Sequence, residues 1–117
     1  MNTSMGTDLD AGTSASALPA LTVKIEKDLE VLVRRFLARK HEDLKQLRAA
    51  LETQQFETIR RIGHDLKGSG EAFGFPELSA FGAALERAAI AHKKRVLGEQ
   101  LAGMEQFLSR LRITSDK

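Results

Sequence analysis

The 117 residues contain no cysteine, no tryptophan and no tyrosine. Without cysteine there can be no disulfide staple, no thiolate metal site and no thiol nucleophile, and the composition agrees with a reducing compartment. The six phenylalanines are the only aromatic residues, so aliphatic side chains must supply most of a modest core. No apolar run approaches the roughly 20 residues that cross a bilayer, and the N-terminus has no charged region followed by an apolar one. A cytoplasmic protein without membrane contact is expected. The formal net charge of +2 is small. Arg34, Arg35, Arg60, Arg61 and the run Lys93-Lys94-Arg95 are interleaved with 16 acidic residues and no aromatic stacking platform, which argues against nucleic-acid binding.

What is present is helical periodicity around one stretch, Arg60 to Pro76, R-R-I-G-H-D-L-K-G-S-G-E-A-F-G-F-P. Phe56, Ile59, Ile62, Gly63, Leu66, Gly70 and Phe73 recur at steps of three or four and define one buried face. His64 lies roughly 160° round the wheel from Leu66, on the solvent side, with Glu57, Arg60, Arg61, Lys67, Gly68 and Glu71. Three glycines, Gly63, Gly68 and Gly70, fall within eight residues of this helix. Each costs about 0.8 to 1 kcal/mol relative to alanine, so each needs a reason. Helical Cβ atoms tilt toward the N-terminus, and a side chain at 68 would lean over His64. Gly68 therefore leaves the imidazole accessible. Gly63 and Gly70 lie on the buried arc, where a neighbouring helix can come close, and Ser69 can return its hydroxyl to the Asp65 carbonyl.

Around this histidine the chain resembles the histidine-containing phosphotransfer (HPt) domain family, whose signature H-x-L-K-G-[SA] stands here as His64-Asp65-Leu66-Lys67-Gly68-Ser69, followed by Phe73-Gly74. The resemblance extends from about Val23 to the C-terminal helix. It implies a four-helix bundle in which His64 is the phosphorylation site and Lys67 helps hold the phosphate. It also implies partners: response-regulator receiver domains, a hybrid sensor histidine kinase, or both.

The chain order agrees with an all-α, antiparallel up-down four-helix bundle carrying its exposed, phosphorylatable histidine on the second long helix. Residues 1–21, rich in Ser, Thr, Gly and Ala, read as a disordered leader or linker, with a short arm docking Leu18 or Leu21 on the bundle as the alternative. The domain is expected over 22–117, with regular structure beginning near Thr22 or Asp28. A first helix over 28–51 places Leu29, Leu32, Val33, Phe36, Leu37, Leu44, Leu47 and Leu51 on its buried arc. Lys40 and Asp43 interrupt that arc and either pair at i, i+3 or sit where it meets solvent. A turn at Glu52-Thr53-Gln54 leads to the His64 helix. Gly74 can take a left-handed cap, and Pro76 with Glu77 suits the first turn of a third helix. That helix carries Leu78, Phe81, Gly82, Leu85, Ala88 and Ala89 and stops near His92. The fourth carries Leu97, Leu101, Met104, Leu108 and Leu111 at bundle-seam spacing. No strand pattern is read anywhere.

Neutral imidazole is nucleophilic near pH 7 and forms a phosphoramidate reactive enough to pass its phosphoryl group on. Arg60, Arg61 and Lys67 are within helical neighbour distance of His64, where they attract a phosphorylated aspartate and stabilise phosphohistidine. Glu71 joins Gly68, Arg60 and Arg61 as an access or docking residue. In-line transfer needs a divalent cation, and the nearby Asp65 and Glu71 form no acidic cluster to hold one. The chain is thus expected to have no cofactor of its own, with the receiver bringing Mg²⁺, and to act as a monomeric carrier without kinase activity. A non-phosphorylatable helical adaptor that docks signalling partners is the alternative. His41 is read as an incidental surface residue and His92 as a helix C-terminal residue favoured by the dipole.

Overall fold

A computed structural model describes residues 19–116. The chain runs β1 (Leu21–Glu26), a 3-10 turn (Lys27–Leu29), α1 (Glu30–Glu52), α2 (Phe56–Ala72), α3 (Pro76–Ile90), α4 (Lys94–Arg110) and β2 (Leu111–Asp116). The four helices are those the periodicity predicts, and their apolar stripes meet in one core. Phe36, Leu47, Ile59, Leu66, Leu78, Leu85, Leu97, Leu101 and Met104 are fully buried there.

The three connections between helices share one construction. In each, a residue with positive φ (Gln54 at 57°, Gly74 at 83°, His92 at 55°) follows the last helical turn. The amide of the next residue reaches back to the last turn, Gln55 to Ala50, Phe75 to Gly70 and Lys93 to Ala88, at 2.8 to 2.9 Å. This is the Schellman arrangement, which satisfies carbonyls that would otherwise be orphaned at a helix end. Pro76 then opens α3, as its fixed φ suits. His92 therefore lies just past the helix end at Ile90 and stacks on Phe56, ring centroids 4.2 Å apart.

Two expectations fail at the periphery. The first is the absence of strands: β1 and β2 pair in parallel, Leu21 with Leu111 through Glu26 with Asp116. Leu21, Val23 and Ile25 alternate inward and pack against the core, as do Leu111 and Ile113. So Leu21, assigned to the leader, opens β1, and Leu111, assigned to the fourth helix, opens β2. Residues 1–18 of that leader, with Leu18, lie outside the described residues.

The second is the buried arc of α1. Val33, Phe36, Leu44 and Leu47 are buried, but Leu29 and Leu32 are 47% and 53% exposed. Helix α1 has 23 residues and α2 has 17, so α1 is about 9 Å longer. Phe36 stacks on Phe73 just past the end of α2, centroids 4.3 Å apart, and the first turn of α1 projects beyond that contact with α2. Lys40 and Asp43 do pair, at 2.8 Å, with the Lys40 ammonium also 5.1 Å above the Phe36 ring. That pairing lets Lys40 sit almost wholly buried.

Candidate functional site

The site is built by the contact between α2 and α3. A Cβ on Gly63 would lie 2.9 Å from both the Glu86 amide nitrogen and the Gly82 carbonyl, and one on Gly70 would lie 2.6 Å from the Ser79 nitrogen. These glycines let two helix backbones touch, which is the close approach expected of Gly63 and Gly70. Ser79 Oγ adds a hydrogen bond to the Lys67 carbonyl at 2.8 Å. The Ser69 hydroxyl does not bond back to Asp65: it is buried and has no hydrogen-bond partner among the described residues.

With the backbones this close, α3 delivers a side chain that the sequence reading missed. Glu86 Oε2 lies 3.1 Å from His64 Nδ1, and Glu86 Oε1 lies 3.4 Å from Lys67 Nζ. Burial pushes the Glu86 carboxyl up, but the hydrogen bond to His64 and the Lys67 ammonium outweigh it and hold its pKa below the ordinary value. The carboxylate is thus ionised near neutral pH and can only accept. The His64 contact is therefore Nδ1–H donating to Glu86, and in the neutral ring the free lone pair is on Nε2. The ring itself stays open, with 59% of the His64 side chain exposed.

The other expected site residues divide into two groups. Lys67 is beside His64 through their shared carboxylate, and at Gly68 an added Cβ would meet nothing within 4 Å, so the surface one turn past His64 is clear. Arg60 is one turn before His64 but turns to Glu57, with hydrogen bonds of 2.9 and 2.6 Å. That pairing raises the Arg60 pKa and lowers that of Glu57. Arg61 and Glu71 are exposed, and their side chains make no hydrogen bond among the described residues. The surroundings of His64 are thus mixed in charge rather than simply basic. The signal that could have found Glu86 is Gly82, a second glycine on a buried stripe: paired with Gly63 it marks a close crossing, and Glu86 is one turn on.

These features define a small helical domain with a surface histidine held by a carboxylate from the neighbouring helix. The Hpt domain family model matches residues 31–114, and the chain belongs to the Hpt domain family. Hpt domains serve phosphorelay signalling as phosphotransfer carriers rather than kinases, interacting with receiver domains and kinases. No curated protein and no solved structure matches the chain.

Proposed function

We propose that this chain is a phosphoryl carrier in which His64 takes a phosphoryl group from a receiver-domain aspartate and passes it to another receiver. The observation that carries the reading is the Glu86–His64 pair beside the open surface at Gly68. In the forward step the Nε2 lone pair attacks phosphorus, the bond from phosphorus to the aspartyl oxygen breaks, and the aspartate leaves as a carboxylate. Nδ1 keeps its proton, so the ring gains positive charge as it is phosphorylated. Glu86 already faces that charge, and a fixed countercharge favours a transition state in which charge develops. Lys67 is within reach of the phosphoryl oxygens once it leaves Glu86.

The Mg²⁺ that such transfer requires belongs, in this reading, to the acidic pocket of the receiver. Arg60, Arg61 and Glu71 border the approach and contribute to docking. The scaffold is an up-down antiparallel bundle with its helices between Glu30 and Arg110, monomeric and cytoplasmic. The contacts of Gly70 with Ser79, Gly63 with Glu86 and Phe56 with His92 support opposite directions for α2 and α3. Among the described residues no helix is long and apolar enough to cross a membrane.

The test is incubation with phosphorylated candidate receivers and Mg²⁺, followed by detection of acid-labile, base-stable label on this chain. Transfer to wild type and none to His64→Gln is the expected result. Label on the His64→Gln chain, or none on wild type from any receiver, removes the assignment, and docking without transfer would favour the adaptor.

A further inference from the structure

The parallel ribbon has an edge that α1 touches through side chains, Arg34 to Ile113 and Glu30 to Ser115, but does not pair with backbone. Each strand of a two-stranded sheet has one partner, so alternate backbone N–H and C=O groups of β2 face away from β1. Such a ribbon is marginal by itself, and a further strand would complete it. Between β2 and α1 runs a groove of about 400 Å³. Arg34 on α1 donates from Nη2 to the Ile113 carbonyl at 3.2 Å, so a β2 carbonyl already accepts from a donor outside the sheet.

The chemistry of the groove is two-sided. Leu37, Leu108 and Ile113 give it an apolar floor, and Arg34, His41 and Arg112 line it; Arg34 is paired with Glu30 at 2.7 Å, which leaves Arg112 and His41 as the basic groups of the lining without an acidic partner among the described residues. A helix on one side, a strand edge on the other and an apolar floor between them suit strand addition, in which backbone bonds give affinity and alternate side chains give selectivity. From these observations we propose that the groove takes an extended segment of a partner protein, added as a third strand beside β2, with apolar residues pointing down and alternate Asp or Glu residues facing Arg112 and His41. The groove shares no residue with the His64 site, so this partner and a phosphotransfer partner can bind together.

The test titrates the full-length chain into a fluorescein-labelled synthetic peptide of alternating valine and aspartate, followed by anisotropy and amide NMR. Saturable binding is expected, with shifts at Leu37–His41 and Leu111–Ile113. Arg112→Glu should weaken it by about tenfold. Ala38→Trp, which fills the groove from the exposed side of α1, should abolish it, as should N-methylation of alternate peptide amides. Replacing the aspartates by lysine should also abolish binding, a control that needs no variant to fold. Absence of saturation, shifts confined to α2 and α3, or equal affinity for the N-methylated peptide would overturn the proposal.

Discussion

A Cβ on Gly82 of α3 would stand 2.6 Å from the carbonyl oxygen of Gly63 of α2. That separation is below any ordinary carbon–oxygen contact, and the atoms in the way are backbone, which cannot swing aside. Gly82→Ala must therefore push the helices apart, and Glu86, one turn on, moves away from His64. The expected cost is about 1 to 3 kcal/mol in urea unfolding, with slower phosphotransfer. An alanine at 82 that leaves both unchanged would show that the helix contact does not set the site.

His64→Gln removes the proposed acceptor but no core contact. It gives up one exposed pairing with Glu86, so stability should stay within about 0.5 kcal/mol of wild type while label transfer disappears. Matched thermal melts and autoradiography check both halves. A collapsed fold would instead make His64 a structural residue.

Gly68 offers the converse of Gly82, since an added side chain there meets open space. Gly68→Leu should hold or raise stability by somewhat under about 1 kcal/mol through helix propensity, yet slow transfer by leaning over His64 into the partner's path. Denaturation midpoint and initial transfer rate should then move in opposite directions. Lys67→Ala removes charge without adding bulk and should weaken retention of the phosphoryl group while leaving docking affinity close to wild type. Normal transfer by Gly68→Leu would dispose of the steric argument.

Glu86 links the site to pH. Its folded pKa is below the ordinary glutamate value of 4.5, so its contribution to stability is fully present above that value and is lost as pH falls through the depressed folded one. Glu86→Gln should thus be less stable than wild type at neutral pH, with the gap closing on acidification below 4.5. Glu30 and Glu57 are lowered too, by hydrogen bonds to Arg34 and Arg60, so both proteins weaken in acid and the difference between them is the informative quantity. In ¹⁵N spectra the variant should also lose its preference for the Nδ1–H tautomer. A pH-independent gap would mean that packing, not charge, is what the substitution removes.

The helices and the junction at Gly74 and Pro76 were legible because they rest on local signals, apolar spacing within one segment and turn residues at its end. Glu86 was not, although it is the closest charged neighbour of His64. Its place depends on the phase of α3 relative to α2, which neither helix encodes alone. The strands failed for a related reason: β1 does alternate, but it has six residues and its partner β2 starts at Leu111, at the far end of the chain. Leu29 and Leu32 continue a correct stripe past the contact of α1 with α2. Periodicity gives the face of a helix but not the length of what covers it.

Because β1 and β2 run in the same direction, Leu21 lies beside Leu111 and Glu26 beside Asp116. The chain enters the ribbon at one end and leaves it at the other. Tension applied between those two points draws the strands lengthwise past each other, loading every ladder bond at once instead of peeling them singly. The ribbon is therefore a shear clamp across the two ends of the domain, and it must yield before a pull along the chain reaches the helices that hold His64 and Glu86 together.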